Sequence, residues 1–277
     1  MLAAMDALPR THLIPGAKST LAAHVSGADD APAVVLSHAL LTSHRMWDAQ
    51  AALLAAHGWR VVALDTRGHG ASSASPPPYR IDELVGDVVA VLDALGIARA
   101  HYVGLSLGGM IGFGLGIAHP ERVLSLVLCD TRADAPAAYA APWDARIELA
   151  RAHGCAALAD ATLERWFGRA FLDAHPDTAA TIGGLIAATP VDGFEGCARA
   201  IQGLDLLDRV ERIGAPTTLL VGANDGDLPQ VLAQLRARMR DAELEVIADA
   251  GHLANVDQRE RFDAALLRHF ARLAAPA

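Results

Sequence analysis

Cysteine is scarce in this chain: Cys129, Cys155 and Cys197 are the only three in 277 residues. They cannot all pair within one chain and show no metal-ligand spacing, which excludes a disulfide scaffold and a zinc-ribbon protein. Positive charge is also short, with 23 Lys and Arg against 32 Asp and Glu and a formal net charge of −9. That balance argues against a general affinity for nucleic acid or anionic membrane. No apolar run reaches the ~18 residues of a membrane span. The opening Met1-Leu2-Ala3-Ala4-Met5-Asp6 lacks a basic region followed by an apolar core. No signal peptide is therefore expected, and the cytoplasm is the expected location. Hydrophobic residues make up 52% and charged residues 20%, which argues against intrinsic disorder. The length fits one large domain, or one domain carrying an insertion, able to bury about three-quarters of its unfolded surface.

Short apolar runs alternate with longer amphipathic stretches, which predicts an α/β fold with a mostly parallel sheet flanked by helices. Strands are predicted at residues 21–26, 34–37, 60–65, 100–104, 123–129, 217–221 and 243–247. Helices are predicted at 46–56, 81–95, 107–119 and 228–240, with a last one starting near Gln258. The 81–95 stretch has Ile81, Leu84, Val85, Val88, Val91, Leu92 and Leu95 at helical spacing and Gly96 as a stop. Ser75-Pro76-Pro77-Pro78 reads as a loop. From about Thr131 to Arg209 the stretches are helical, with no convincing strand, which predicts a helical insertion in an α/β domain. The alanine bias is helix-friendly composition, and there is no internal repeat.

The most informative segment is Gly104-Leu105-Ser106-Leu107-Gly108. It matches G-x-S-x-G between a predicted strand and a predicted helix, the context of a nucleophile elbow. Such a turn is too tight for side chains at both flanks. It would hold the Ser106 hydroxyl above the sheet edge and put the Leu107 N–H at a helix N-terminus, ready to donate to an oxyanion. Gly108, Gly112 and Gly116 recur every four residues on one helix face, which suits close helix–sheet packing. A serine hydroxyl needs a base at neutral pH. Of 12 histidines, His252 follows the last predicted strand and precedes the last helix. It fits the order serine, acid, histidine. The acid belongs after the strand at 217–221, where Asp225 is the first choice, Asp227 the reserve and Asp130 a distant third. The second oxyanion donor belongs in the loop Ser37-His38-Ala39-Leu40-Leu41, with the backbone N–H of Leu40 the candidate. Arg67 and His69, in the turn Thr66-Arg67-Gly68-His69-Gly70, are read as structural. No G-x-G-x-x-G follows the first strand, which weighs against a dinucleotide-binding protein.

Together these residues resemble the α/β-hydrolase fold superfamily from about Leu21 to Phe270. More narrowly, several segments resemble 3-oxoadipate enol-lactonases. They are Arg45-Met46-Trp47-Asp48-Ala49-Gln50, Asp65-Thr66-Arg67-Gly68-His69-Gly70-Ala71-Ser72, Gly104-Leu105-Ser106-Leu107-Gly108-Gly109-Met110 and Leu126-Val127-Leu128-Cys129-Asp130-Thr131. The stretch from His252 to Gln258 is similar to the one around that family's catalytic histidine. Within the insertion, Arg165-Trp166-Phe167 and Cys197-Ala198-Arg199-Ala200-Ile201 also look like that group.

The resemblance implies an eight-stranded, mostly parallel sheet with a helical cap inserted after strand six. The core would be residues 1–130 and 210–277, and the cap 131–209. It implies a serine hydrolase opening a small anionic enol-lactone from aromatic-acid breakdown to 3-oxoadipate, with no metal and no organic cofactor. The departures are a Ser-His-Ala-Leu-Leu loop where the lactonases tend to read Ser-Asn-Ser-Leu-Gly, and Arg132 where they usually have a small residue. Both lie near the mouth of the site, so they bear on the substrate and leave the triad untouched. The shared motifs also occur in broad-specificity carboxylesterases and cofactor-free perhydrolases, the alternative reading. A small-molecule receptor on the same fold would show a damaged triad, and all three residue types are present.

A cap over Ser106 would set substrate choice and exclude water. A lactone carrying a carboxylate calls for a cation. Arg146 lies three residues after Trp143, so on a helix both face one way, an aromatic wall beside a guanidinium. Arg132 is the other candidate cation, and Trp166 a second aromatic wall. The expected partner is a small-molecule ester or lactone, with no nucleic acid and no membrane; a homo-oligomer is left open.

Overall fold

A computed structural model describes residues 9–274. The stretch from Met1 to Asp6, on which the expectation of no signal peptide rests, lies outside the described residues. Eight strands form one sheet: β1 (Arg10–Pro15), β2 (Thr20–Ser26), β3 (Ala33–Ser37), β4 (Arg60–Asp65), β5 (Ala100–Leu105), β6 (Val123–Cys129), β7 (Thr217–Gly222) and β8 (Ala242–Ile247). Their order is β1-β2-β4-β3-β5-β6-β7-β8. β2 pairs antiparallel with β1 and β4, and every other pairing is parallel. The α/β class and the mostly parallel eight-stranded sheet expected from the sequence are both found.

Helices cover both faces, which is why β3 and β7 are buried at every residue and read as unbroken apolar runs. The helix Leu107–Ala118 is the central one, buried from Leu107 to Gly116. Its glycine row lets it lie close to the sheet: a Cβ at Gly112 would collide with Leu128 of β6 and the Tyr102 ring of β5.

β1 is the one strand that residue patterning does not reveal. It is an edge strand with a single buried residue, Ile14, and Leu13 is 64% exposed. Its existence depends on pairing with β2, which no local periodicity reports. The predicted helix over 46–56 is a 3₁₀ turn, His44–Trp47, followed by an α-helix, Asp48–Ala56. The helix predicted over 228–240 ends at Arg238, where Met239 turns extended.

Between β6 and β7 lie the helices Ala137–Ala140, Pro142–His153, Ala159–Phe167, Arg169–Ala174, Pro176–Ala188 and Val191–Gln202, with no strand among the described residues. The two ends of this segment meet in a bridge between Asp134 and Asp205. The Leu206 N–H donates to the Ala133 carbonyl at 2.8 Å, and the Ala135 N–H to the Leu204 carbonyl at 3.0 Å. Its last helix rests on the turn after β4. Gly193 packs backbone to backbone against Gly68, where a side chain on either would collide. The Tyr79 N–H donates to the Gly196 carbonyl at 3.1 Å. Among the described residues no helix is long and apolar enough to cross a membrane.

Candidate active site

The carboxyl ends of β3, β5, β6, β7 and β8 all open on one edge of the sheet, where an α/β fold places its ligands. Ser106 follows β5 directly and caps the helix Leu107–Ala118 with φ 55° and ψ −112°. Left-handed backbone is unfavourable for a residue with a Cβ, so this turn stores strain that its surroundings must hold. Two contacts hold it: the Ser106 N–H donates to the Cys129 carbonyl at 2.8 Å, and Thr131 Oγ1 donates to the Ser106 carbonyl at 2.8 Å. The flanking glycines are sterically required. A Cβ at Gly104 would collide with the Gly108 carbonyl, and one at Gly108 with the Ser37 carbonyl.

Asp225 lies in the turn after β7 and His252 in the loop after β8. Their side chains meet, His252 Nδ1 to Asp225 Oδ2, at 2.6 Å. Burial alone would raise the Asp225 pKa. The charge of His252, the hydrogen bond to it and the nearby Arg165 outweigh burial and hold the carboxyl below the ordinary range. The reserve acid, Asp227, has a side chain 73% exposed and makes no hydrogen bond to His252. Ser106, Asp225 and His252 line one cavity of about 480 Å³. Among the described residues no hydrogen bond joins the Ser106 hydroxyl to His252, a looseness common before substrate is bound. Trp166 stacks on the His252 ring (centroids 5.9 Å apart, planes 24°) and its carbonyl accepts the His252 N–H at 2.9 Å.

The loop after β3 carries Leu40 to the cavity. Its neighbours are tied down. The Ala39 N–H meets Met46 Sδ at 3.3 Å, the Thr42 N–H donates to the Ala39 carbonyl at 3.2 Å, and the Leu41 N–H donates to His69 Nε2 at 3.2 Å. No acceptor for the Leu40 N–H is present among the described residues. The Leu107 N–H, first in its helix, also has no intrahelical acceptor. Two buried histidines brace the loop. His38 Nε2 accepts the Thr66 N–H at 2.9 Å, so its Nδ1–H donates to the Ala39 carbonyl at 2.8 Å. His69 Nε2 accepts from Leu41, so its Nδ1–H donates to the Arg67 carbonyl at 3.2 Å. Each ring is thus fixed as one neutral tautomer. Burial pushes the His38 pKa down and that of His69 down to about 3.

Three cations also line the cavity. Arg132 is buried, and Asp134 already compensates it: Nε donates to the Asp134 carbonyl at 2.8 Å and Nη2 to Oδ1 at 3.1 Å. Its guanidinium lies over the Tyr139 ring at 4.3 Å. Arg146 lies over the Trp143 ring at 4.8 Å, the wall that the three-residue spacing predicts. Arg165 completes the group and is the residue the sequence reading does not single out. Its adjacency to Trp166 was the available signal. Neither Arg146 nor Arg165 has an acidic partner among the described residues. Desolvation lowers the pKa of both, and Arg146 lowers that of Arg165 further.

Other buried charges brace the fold around the cavity. Arg67 Nη2 pairs with Asp87 Oδ1 at 2.7 Å and Nε with Oδ2 at 2.9 Å, tying the turn after β4 to the helix Ile81–Ala94. His24, His44 and Asp65 are the one group of metal-ligating type gathered among the described residues. The two rings stack at 3.4 Å with planes 19° apart. Coordinate bonds lie in the ring plane, and nearly parallel planes share no point ~2 Å from both nitrogens, so the group does not fit an ion. It is a hydrogen-bonded cluster, His24 Nε2 to Asp65 Oδ2 at 3.0 Å and His44 Nδ1 to Oδ1 at 2.9 Å. Burial would raise the Asp65 pKa, but the two imidazoles outweigh it and hold the carboxyl well below the usual range.

The family described as the alpha/beta hydrolase fold matches residues 32–258. A 3-oxoadipate enol-lactonase 2 of Acinetobacter baylyi is 35% identical over 241 residues, covering 87% of this chain and 89% of the relative. The crystal structure of the enol-lactonase from Burkholderia xenovorans superposes with a TM-score of 0.89 at 32% identity, covering 95% of this chain and 100% of that one. A thermophilic esterase from Thermogutta terrifontis, solved with malate bound, has a TM-score of 0.89 at 26% identity, covering 96% and 100%.

Proposed function

The chain belongs to the α/β-hydrolase fold family, and on that premise we propose that it hydrolyses a carboxylic ester or lactone through Ser106, His252 and Asp225. The substrate in this reading is 3-oxoadipate enol-lactone, opened to 3-oxoadipate in the cytoplasm during aromatic-compound breakdown. One observation carries the reading. A strained serine at a strand–helix turn shares a cavity with a joined Asp–His pair, beside two backbone N–H groups without acceptors.

His252 takes the Ser106 proton as Ser106 Oγ attacks the lactone carbonyl. Asp225 holds the Nδ1–H, keeps Nε2 turned to the serine and stabilises the imidazolium. The Leu40 and Leu107 N–H groups receive the oxyanion; losing one such donor typically lowers the rate about 10²–10³-fold. The C–O bond breaks, the enol oxygen takes the proton from His252, and the leaving group stays tethered because the ester is cyclic. Water, deprotonated by His252, then attacks the acyl carbon and releases Ser106. Residues 131–209 act as the cap over a core of 1–130 and 210–277. Within it, Trp143 and Trp166 form apolar walls, and Arg146, joined by Arg165, receives the substrate carboxylate. Arg132, already paired with Asp134, shapes the mouth.

The second reading is a broad carboxylesterase, favoured by the likeness to the Thermogutta esterase and by the altered Ser37–Leu41 loop. The test is kcat/KM on freshly generated enol-lactone beside p-nitrophenyl acetate, with Ser106→Ala as blank. A strong preference for the lactone, lost in the variant, supports the proposal. Ser106-dependent acetate hydrolysis with little lactone turnover keeps the triad and overturns the substrate. Full activity in a folded Ser106→Ala variant overturns both.

A further inference from the structure

Behind the Asp225–His252 pair sits a second carboxyl. Asp130 follows β6 with φ 45° and is 1% exposed. Left-handed backbone at a buried, non-glycine residue is costly, so the position asks what the side chain does there. Oδ1 accepts the Gly222 N–H at 2.8 Å, the residue that ends β7. Oδ2 is buried and has no hydrogen-bond partner among the described residues. The Asp225 carboxyl is its neighbour, the two residues line the same cavity, and Asp225 Oδ2 serves His252. Two carboxylates cannot bond to each other; a proton between them turns repulsion into a hydrogen bond.

The surroundings decide which oxygen carries it. Asp225 faces the Nδ1–H of His252 and the cation Arg165. Asp130 faces carboxyls, Asp225 and Asp257, and the buried thiol of Cys129 on its own strand. Arg132 and Asp227 line the cavity that Asp130 also borders, but Arg132 is held by Asp134 and Asp227 is exposed.

We propose that Asp130 stands in the resting protein as an un-ionised carboxylic acid whose Oδ2–H donates to the Asp225 carboxylate, making Asp130 a positioning residue for the triad acid. The proposal rests on the reading of Ser106, His252 and Asp225 as the triad. Its role is twofold. It fixes the plane of the Asp225 carboxylate toward His252, and it lets that carboxylate stay ionised at a buried site. Burial and the neighbouring Asp225 both raise the Asp130 pKa well above the usual carboxylate range, in keeping with this state.

The experiment joins a spectrum to kinetics. In protein labelled with carbon-13 at aspartate carboxyls, one resonance at pH 7 should have the position of a protonated acid and should vanish in Asp130→Asn. Asparagine keeps a neutral donor for Asp225 and an acceptor for the Gly222 N–H; alanine keeps neither. Asp130→Ala should lower kcat of Ser106-dependent hydrolysis about 10- to 100-fold with KM little changed. It should also move the acid limb of the pH–rate profile upward, because Asp225 would then protonate more readily. Asp130→Asn should recover most of that loss. A fully ionised Asp130 at pH 7 overturns the inference even where Ser106-dependent hydrolysis stands. Equal losses in the asparagine and alanine variants overturn it as well. Absence of Ser106-dependent hydrolysis in the wild-type protein instead overturns the functional reading, and the resonance alone then decides where the proton is.

Discussion

Mild acidification should destabilise this protein through its buried histidines. His69 has no exposed surface and accepts the Leu41 N–H; His269 is 2% exposed and lies between Thr218 Oγ1 (2.7 Å) and Ser125 Oγ (2.8 Å). Burial lowers the pKa of each to about 3. In the unfolded chain both would titrate near ~6.5. Below that pH the unfolded chain takes up protons that the native protein refuses, so their contribution is complete above ~6.5 and is lost as pH falls toward 3. By pH 5 each withdraws about 2 kcal/mol, and the pair about 4 kcal/mol, from a total of roughly 5–15 kcal/mol. His38 and His101 act in the same direction. Asp257, raised by burial to about 6, and Asp130, also raised by burial, act in the opposite one and trim the loss. The assay is urea unfolding followed by circular dichroism at several pH values between 7.5 and 5, for wild type and His269→Gln. Between pH 6 and 5 stability should fall with a slope of about one to two protons, and the variant should lose about one proton of that slope. A flat or rising stability between pH 6 and 5, or a slope unchanged in the variant, refutes the reasoning.

Gly108→Ala should cost about 3 kcal/mol or more in chemical denaturation and abolish Ser106-dependent turnover, because its Cβ collides with the Ser37 carbonyl under the strained turn. Arg67→Met should lower stability by about 3–5 kcal/mol by stranding Asp87 in the interior, and Asp87→Leu in the same protein should recover much of it in a double-mutant cycle. Arg165→Met should lower kcat/KM for the enol-lactone about 10- to 100-fold more than for p-nitrophenyl acetate, since only the lactone carries a carboxylate. Equal losses on both substrates would remove Arg165 from substrate recognition.

The parts of the fold legible in the sequence are those whose cause is local. β3 and β7 are unbroken apolar runs because helices bury both their faces. The serine turn is legible because Gly104 and Gly108 are sterically forced, which leaves a fixed spacing in the chain. Asp225 and His252 could be named from chain order, but their 2.6 Å contact belongs to the sheet that brings β7 and β8 side by side. β1 was not legible, because one buried residue in six leaves no period to read. Nor could the sequence separate the three arginines. Arg132 is neutralised by a residue only two positions away, whereas Arg146 and Arg165 come from different helices and meet only across the cavity. The role of His38 was equally hidden, since its partner is the Thr66 N–H beyond β4.

The backbone contact between Gly193 and Gly68 has a consequence for protein engineering. The helix Val191–Gln202 is docked on the core by bare backbone and by the Tyr79–Gly196 hydrogen bond, and the Trp166 carbonyl is docked on the His252 N–H. A chimaera that exchanges the whole segment between β6 and β7 for that of another hydrolase must therefore supply two glycine-tight seats and a carbonyl at His252, or the graft will ride high on the core and tilt that ring. Exchanging only the helices Arg169–Ala174 and Pro176–Ala188 leaves all three seats in place, but neither helix lines the cavity, so that span is one to vary for stability and not for specificity.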